Sequence, residues 1–197
     1  MNSSLQHLIA AACAVSLALA LAPADAADPA AMNAEARDAA LTLQKTLAGK
    51  LLAAISAGGP ESAIGVCETI APAAAGDISR EKGWRVTRVS LKVRNPVLGT
   101  PDAWEQRVLA DFDARAARGE KPDALEVGEV VSEPQGRYFR YAKALPVSPL
   151  CTGCHGVPEA ISAGVKERLA KEYPHDRATG YREGQIRGAI SIKRPLD

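Results

Sequence analysis

The hydrophobic pattern of this 197-residue chain predicts an α+β fold, a small antiparallel sheet flanked by helices. Three observations carry the prediction. Helix-period runs come first. Strand-period runs come later and in separate pieces. Proline or glycine clusters mark most changes of period.

The first helix spans about Ala34 to Ala57: Leu43, Leu47, Leu51 and Ile55 recur every four positions, and Gly58-Gly59-Pro60 ends the run. A second helix starts near Pro60, a residue suited to a first turn. Ile64, Cys67, Ala71 and Ala74 share one face of it, so Cys67 points with the apolar residues. Pro72 cannot donate to the carbonyl of Glu68 and predicts a kink one turn past Cys67. Trp84 to Val93 reads as a strand, with Val89, Leu91 and Val93 alternating with Arg88, Ser90 and Lys92. Asn95-Pro96 to Pro101 is a turn-rich loop. Thr100-Pro101 is the expected cap and first residue of a helix from Asp102 to about Ala117. Gly119 to Pro122 breaks the chain. Leu125 to Val131 and Tyr138 to Leu145 are strands joined through Gln135-Gly136. A helix follows from about Glu159 to Lys171, then a glycine-rich stretch from Gly180 to Gly188, and Ala189 to Lys193 as a last strand.

Ahead of all this, Leu8 to Leu21 is an unbroken apolar stretch, and Ala24-Asp25-Ala26 after it fits a small-residue cleavage pattern. The stretch is short of the ~20 residues a membrane span needs. It carries no Lys or Arg before it, only His7. The expectation is a signal peptide over 1–26, an N-terminal helix over 27–58 and one domain over 59–197. An uncleaved anchor is the alternative. Cys13, inside the apolar run, leaves with a cleaved signal. With 24 Lys plus Arg against 23 Asp plus Glu, nothing points to nucleic acid.

The most specific pattern is Cys151-Thr152-Gly153-Cys154-His155. Two thiols three residues apart on a helical turn can each add to one vinyl group of a haem. A histidine directly after the second then reaches the iron. This spacing is the attachment pattern of haem c, one per chain here. Zinc sites and redox dithiols share the C-x-x-C spacing. A zinc site wants a second ligand pair, which is missing, and export suits haem attachment outside the inner membrane, giving a periplasmic expectation. Two Phe, two Trp and four Tyr are few aromatics, and a large flat ligand would supply apolar area.

Haem attachment leaves Cys67 unpaired in an oxidising compartment. Read from spacing alone, it is either a buried small hydrophobe or a sixth iron ligand. His175, in Tyr173-Pro174-His175-Asp176, is a second candidate in a turn. Met32 lies close to the mature N-terminus, a frayed place for a ligand.

Several segments resemble the single-haem c-type cytochrome family with a PAS-like fold, long catalogued as a domain of unknown function. They are Ala63 to Cys67 with Ala71-Pro72, Ser90 to Pro96, Pro101 to Glu105, and Cys151 to Gly156. Tyr173-Pro174 with Asp176, Ala178 and Gly180-Tyr181 follow, then Gly184 to Gly188. The resemblance implies a haem on a five-stranded antiparallel sheet, with axial ligation by His155 and by the cysteine corresponding to Cys67. It thereby favours Cys67 as the sixth ligand.

The two haem propionates would need charge-assisted partners, for which Arg88, Lys92 and Arg94 are candidates; a solvated basic strand face is the alternative. Gly156, Gly180, Gly184 and Gly188 suit close backbone approach to a macrocycle or simple turn geometry. The expected function is one-electron transfer with a redox partner protein. The alternative is a redox or gas sensor that loses the Cys67 bond on reduction and acts through a separate signalling partner. No integral span is expected after cleavage. An enzyme such as a peroxidase would need distal acid–base groups, and no distal His or Arg motif is found.

Overall fold

The structure, a computed structural model, describes residues 28–196; the segment read as an export signal lies outside them. Helix α1 (Pro29–Gly65) starts at Asp28, whose carboxylate caps Ala30 N–H, and is interrupted at Gly58 and Gly59. A π-helical turn (Val66–Ile70) carries Cys67 and runs into α2 (Ala71–Lys82). The disturbance expected from Pro72 thus takes the form of a π turn just ahead of it, where the widened register absorbs the missing donor. Strand β1 (Arg85–Val89), the short α3 (Pro96–Gly99) and α4 (Ala103–Ala117) follow. Then come β2 (Glu126–Glu133), β3 (Gly136–Pro146), α5 (Thr152–His155), α6 (Ala163–Glu172) and β4 (Ile186–Pro195).

The sheet is antiparallel throughout, ordered β1-β4-β3-β2. It has four strands among the described residues, not the five that the resemblance implies. β1 ends at Val89, short of the expected Val93. Ser90 Oγ donates to Lys92 O and accepts from Lys92 N–H, so its side chain builds a turn where ladder bonds would continue. The cap of α4 also moves: Asp102 and Glu105 form a reciprocal capping box, and Pro101 stays outside the helix.

The two central strands are buried on both faces. Phe139, Tyr141, Ile190 and Ile192 face α1 and α2, meeting Met32, Ala36, Ala39, Ala40, Leu43 and Ala75. Small residues on α1 let the helix lie close to the sheet, and Met32 is part of this core, not a frayed end. Ala142, Ala144 and Ala189 face α4, meeting Trp104, Leu109 and Phe112. The alternation along β3 and β4 is the period-two pattern that a strand between two helical layers requires. A third cluster, Ile64, Ile161, Val165, Leu169 and Tyr173, packs α6 on α1, with Cys154 against it.

Arg140, fully buried, anchors the α4 face. It pairs with Asp102 at 2.8 Å, Glu133 at 2.7 Å and the buried Glu105 at 3.4 Å, and its guanidinium lies 4.5 Å from the centre of the Trp104 ring. Burial raises the Asp102 carboxyl, but the Glu105 amide and Arg140 outweigh it and hold it below its ordinary value. Lys193 and Arg140, against burial, hold Glu133 down as well. Groups held low contribute fully above about pH 4.5, and that contribution is lost as pH falls through their lower folded values. Arg140→Ala leaves buried Glu105 unpaired, with an expected loss of about 3–5 kcal/mol in urea denaturation. The acid limb of its melting-temperature profile is expected to be shallower than in the parent protein.

Candidate functional site

The Cys-x-x-Cys-His segment closes a tight turn. Cys151 ends a short 3₁₀ segment begun by Pro149, and Thr152–His155 continue as one helical turn. Thr152 Oγ1 donates to Pro149 O at 2.7 Å, and Gly156 N–H returns to Thr152 O at 2.9 Å. A Cβ on Gly156 would lie 2.4 Å from that carbonyl, so only glycine lets the turn shut.

A cavity of about 290 Å³ opens beside this turn, between α2, β1, the loop after β1 and the start of β4. Cys67 and His155 both line it, as do Arg88, Arg94, Tyr173 and Arg187. Sequence positions far apart are therefore gathered at one opening. Cys151 and Cys154 sit on the adjoining turn, both half-buried. Lys92 turns elsewhere: its Nζ donates to Thr179 O and lies 4.7 Å from the Tyr181 ring centre. His175 is exposed and is not among the residues lining the cavity.

His155 is oriented from behind. Its Nδ1 lies 2.7 Å from Ala178 O and 3.2 Å from Arg187 Nε. Nδ1 cannot donate to the carbonyl and accept from the arginine at once. The carbonyl can only accept, so Nδ1 carries the proton, and Arg187 stands beside it as a cation. Nε2 is then the lone-pair nitrogen, the arrangement a metal-ligating imidazole needs. Burial, then Arg187 and Arg94, hold the ring well below its ordinary pKa, so it stays neutral.

Arg94 fixes the support. Its side chain and that of Asp176 are nearly fully buried and pair at 3.0 Å, and Arg94 Nη2 donates to Cys154 O at 2.6 Å. Asp176 Oδ1 accepts from Ala178 N–H at 2.7 Å. One ion pair thus joins the loop after β1, the Cys154 turn and the segment whose carbonyl holds His155. The sequence reading offered Arg94 for a propionate; in the structure it is already engaged. The side chain of Arg88, half-buried on the cavity wall, makes no hydrogen bond or ion pair among the described residues.

Burial pushes the Cys154 thiol up. Burial, then the charges of Cys67 and Glu68, raise the Tyr173 hydroxyl to about 12. Among the described residues, no cluster of three or more His, Cys, Asp or Glu side chains is set to hold a metal ion. The chemistry of the set suits an iron porphyrin: two thiols on the turn, one lone-pair imidazole, one thiol across the opening and guanidinium groups on the wall. The sequence showed Tyr173, Ala178 and the Gly184–Gly188 stretch that holds Arg187 only as family-like segments, with no role assigned to any of the three. Arg187 lies in the glycine-rich stretch, where spacing gives no sign of what a side chain will meet.

Fold and site together define an α+β domain that carries a Cys-x-x-Cys-His turn beside a cavity on one face of a four-stranded sheet. The chain belongs to the Tll0287-like family, whose model it matches over residues 12–195. A solved structure, that of the cyanobacterial heme-protein Tll0287, is similar with a TM-score of 0.62 at 24% identity. The likeness covers 87% of this chain and 98% of that one and establishes the shared fold. No curated protein matches the chain.

Arg94→Ala is expected to cost about 3–5 kcal/mol by stranding the Asp176 carboxylate. The double variant Arg94→Ala with Asp176→Ala is expected to recover part of that loss. Chemical denaturation of the three proteins gives the coupling.

Proposed function

We propose that this chain is an exported single-haem c-type cytochrome that passes single electrons. Cys151 and Cys154 would hold the haem through thioether bonds, and His155 and Cys67 would serve as ligands to its iron. The observation that carries the reading is the gathering of Cys67 and His155 at one cavity, with the two motif thiols on the adjoining turn. The family membership and the likeness to a heme-protein support it. When bound there, haem supplies one-electron iron chemistry. The residues of the chain do the rest. Ala178 O fixes the His155 tautomer, and Arg94 and Asp176 hold that carbonyl in place. Arg88 offers charge-assisted hydrogen bonds to a propionate. Cys67, as thiolate, favours the ferric state and keeps the potential low. The physiological partner is a second redox protein outside the inner membrane. Among the described residues no helix is long and apolar enough to cross a membrane.

The π turn at Cys67 favours a second reading. Such turns are rare, less stable than α-helix and frequent at functional sites. Release of Cys67 on reduction would open a coordination position and make the chain a redox or gas sensor. Carbon monoxide separates the two: a carrier stays six-coordinate and leaves its ferrous spectrum unchanged, whereas a sensor shifts at once.

Expression with cytochrome c maturation machinery should give a red product heavier than the mature peptide by one haem. Cys151→Ala with Cys154→Ala should abolish the covalent adduct in mass spectrometry. Cys67→Ala should remove the low-spin thiolate signature in electron paramagnetic resonance, and an unchanged spectrum would exclude Cys67 as a ligand. His175→Ala should change nothing.

A further inference from the structure

We propose that Arg187 is a positioning residue that sets the midpoint potential at this site by keeping an unneutralised positive charge against the back of His155. The inference rests on the proposed haem function. Its basis begins in the sheet. Leu145 pairs with Gly188, but Pro146 pairs with Ile186, so Arg187 is the extra residue of a β-bulge. Pro146 cannot donate to the ladder, which suits a break in pairing at this point. A bulge re-aims its side chain, and here the chain is also drawn in tightly: a Cβ on Gly188 would lie 2.2 Å from Val89 O. Arg187 is consequently directed at the cavity and at His155, not along a regular sheet face.

Its guanidinium is held by neutral groups. Nη1 donates to Ser90 Oγ at 2.8 Å and to Lys92 O at 3.2 Å, and the group lies 5.7 Å from the Tyr181 ring centre. No carboxylate lies within ion-pair distance of it among the described residues. Arg94, by contrast, is neutralised by Asp176. Arg187 Nε lies 3.2 Å from His155 Nδ1.

A fixed, half-buried cation that close weighs against the ferric state, which carries one more positive charge than the ferrous. It therefore raises the potential that imidazole and thiolate alone would give. A residue that only pinned the bulge would shape the loop without needing its charge.

The test is a spectroelectrochemical titration of the haem-loaded protein and three variants, with haem content and ligation checked by absorption spectra. Arg187→Gln is expected to raise the oxidised-to-reduced ratio at fixed potential about tenfold, a fall of about 59 mV for one electron. Arg187→Lys is expected to stay near the parent value. Ser90→Asp supplies a carboxylate beside the retained guanidinium and is expected to lower the potential too, so the test survives if Arg187→Gln fails to load haem. An unchanged potential in a correctly ligated Arg187→Gln or Ser90→Asp protein overturns the inference. So does an Arg187→Lys value as low as that of Arg187→Gln. A parent protein that takes up no covalent haem overturns the function reading and this inference with it.

Discussion

The buried pair between Arg94 and Asp176 is the constraint on which the site depends. Two charges taken from water repay that cost only with close geometry and further hydrogen bonds. Here the further bonds do the positioning. Arg94 spends one on the Cys154 carbonyl, and Asp176 spends one on the Ala178 amide, whose own carbonyl fixes the His155 ring. Two loops and the α5 turn are thereby set against one another. Gly180 and Tyr181 add backbone bonds to the carbonyls of Gly156 and His155, which locks the same segment onto the motif turn. A ligand held through a second layer of this kind needs no further adjustment on binding a metal.

The sheet matters to the site mainly through its irregularities. Its regular part is a platform between two helical layers, and the Arg140 cluster secures the side away from the cavity. On the cavity side β1 stops early and β4 begins with a bulge. Ser90 links the two: it turns the chain after β1, and its hydroxyl oxygen also accepts from Arg187 Nη1 and lies 2.7 Å from Arg187 O. The same residue that shortens a strand therefore supports the cation beside His155. Three arginines with a single carboxylate among them leave the cavity wall positive, which favours an occupant with anionic groups.

The main helices and the succession of helices and strands along the chain were legible because each rests on a local period that a sequence displays directly. Leu43 and Leu47 on α1 turn to the core as their four-residue spacing requires, and the strand read from Tyr138 to Leu145 lies within β3. The motif turn was legible for the same reason, since its chemistry lies within five residues. What failed to show were features decided by tertiary contact. The end of β1 depends on the hydroxyl of Ser90 capturing its neighbour's backbone, which alternation through Val93 conceals. The role of Arg94 depends on Asp176, far along the chain, and a basic residue on a strand-like run looks identical whether it faces water, a propionate or a buried carboxylate. Met32, placed near an end by sequence position, is buried because α1, already capped at Asp28, lays it against Phe139, Tyr141, Ile190 and Ile192 of the sheet.

The placement of Cys67 and His155 bears on how this fold would respond to a cofactor. They lie on separate parts of the molecule: the first on the N-terminal helical unit, the second on a turn held by loops after β1 and α6. Packing between these parts comes from the small cluster of Ile64, Ile161, Val165, Leu169 and Tyr173. Iron bonds to both residues would add a link across that junction, and ligands present only in the folded chain convert binding free energy into folding stability. The covalent thioethers would hold the group on one side whatever happens at the other. Loss of the Cys67 bond would then leave the cofactor in place and relax only the link to the π turn, the least regular part of the helical layer. An attachment permanent on one side and breakable on the other would suit carrier and sensor alike, and the strength that a Cys67–iron bond would have in the ferrous state would decide between them.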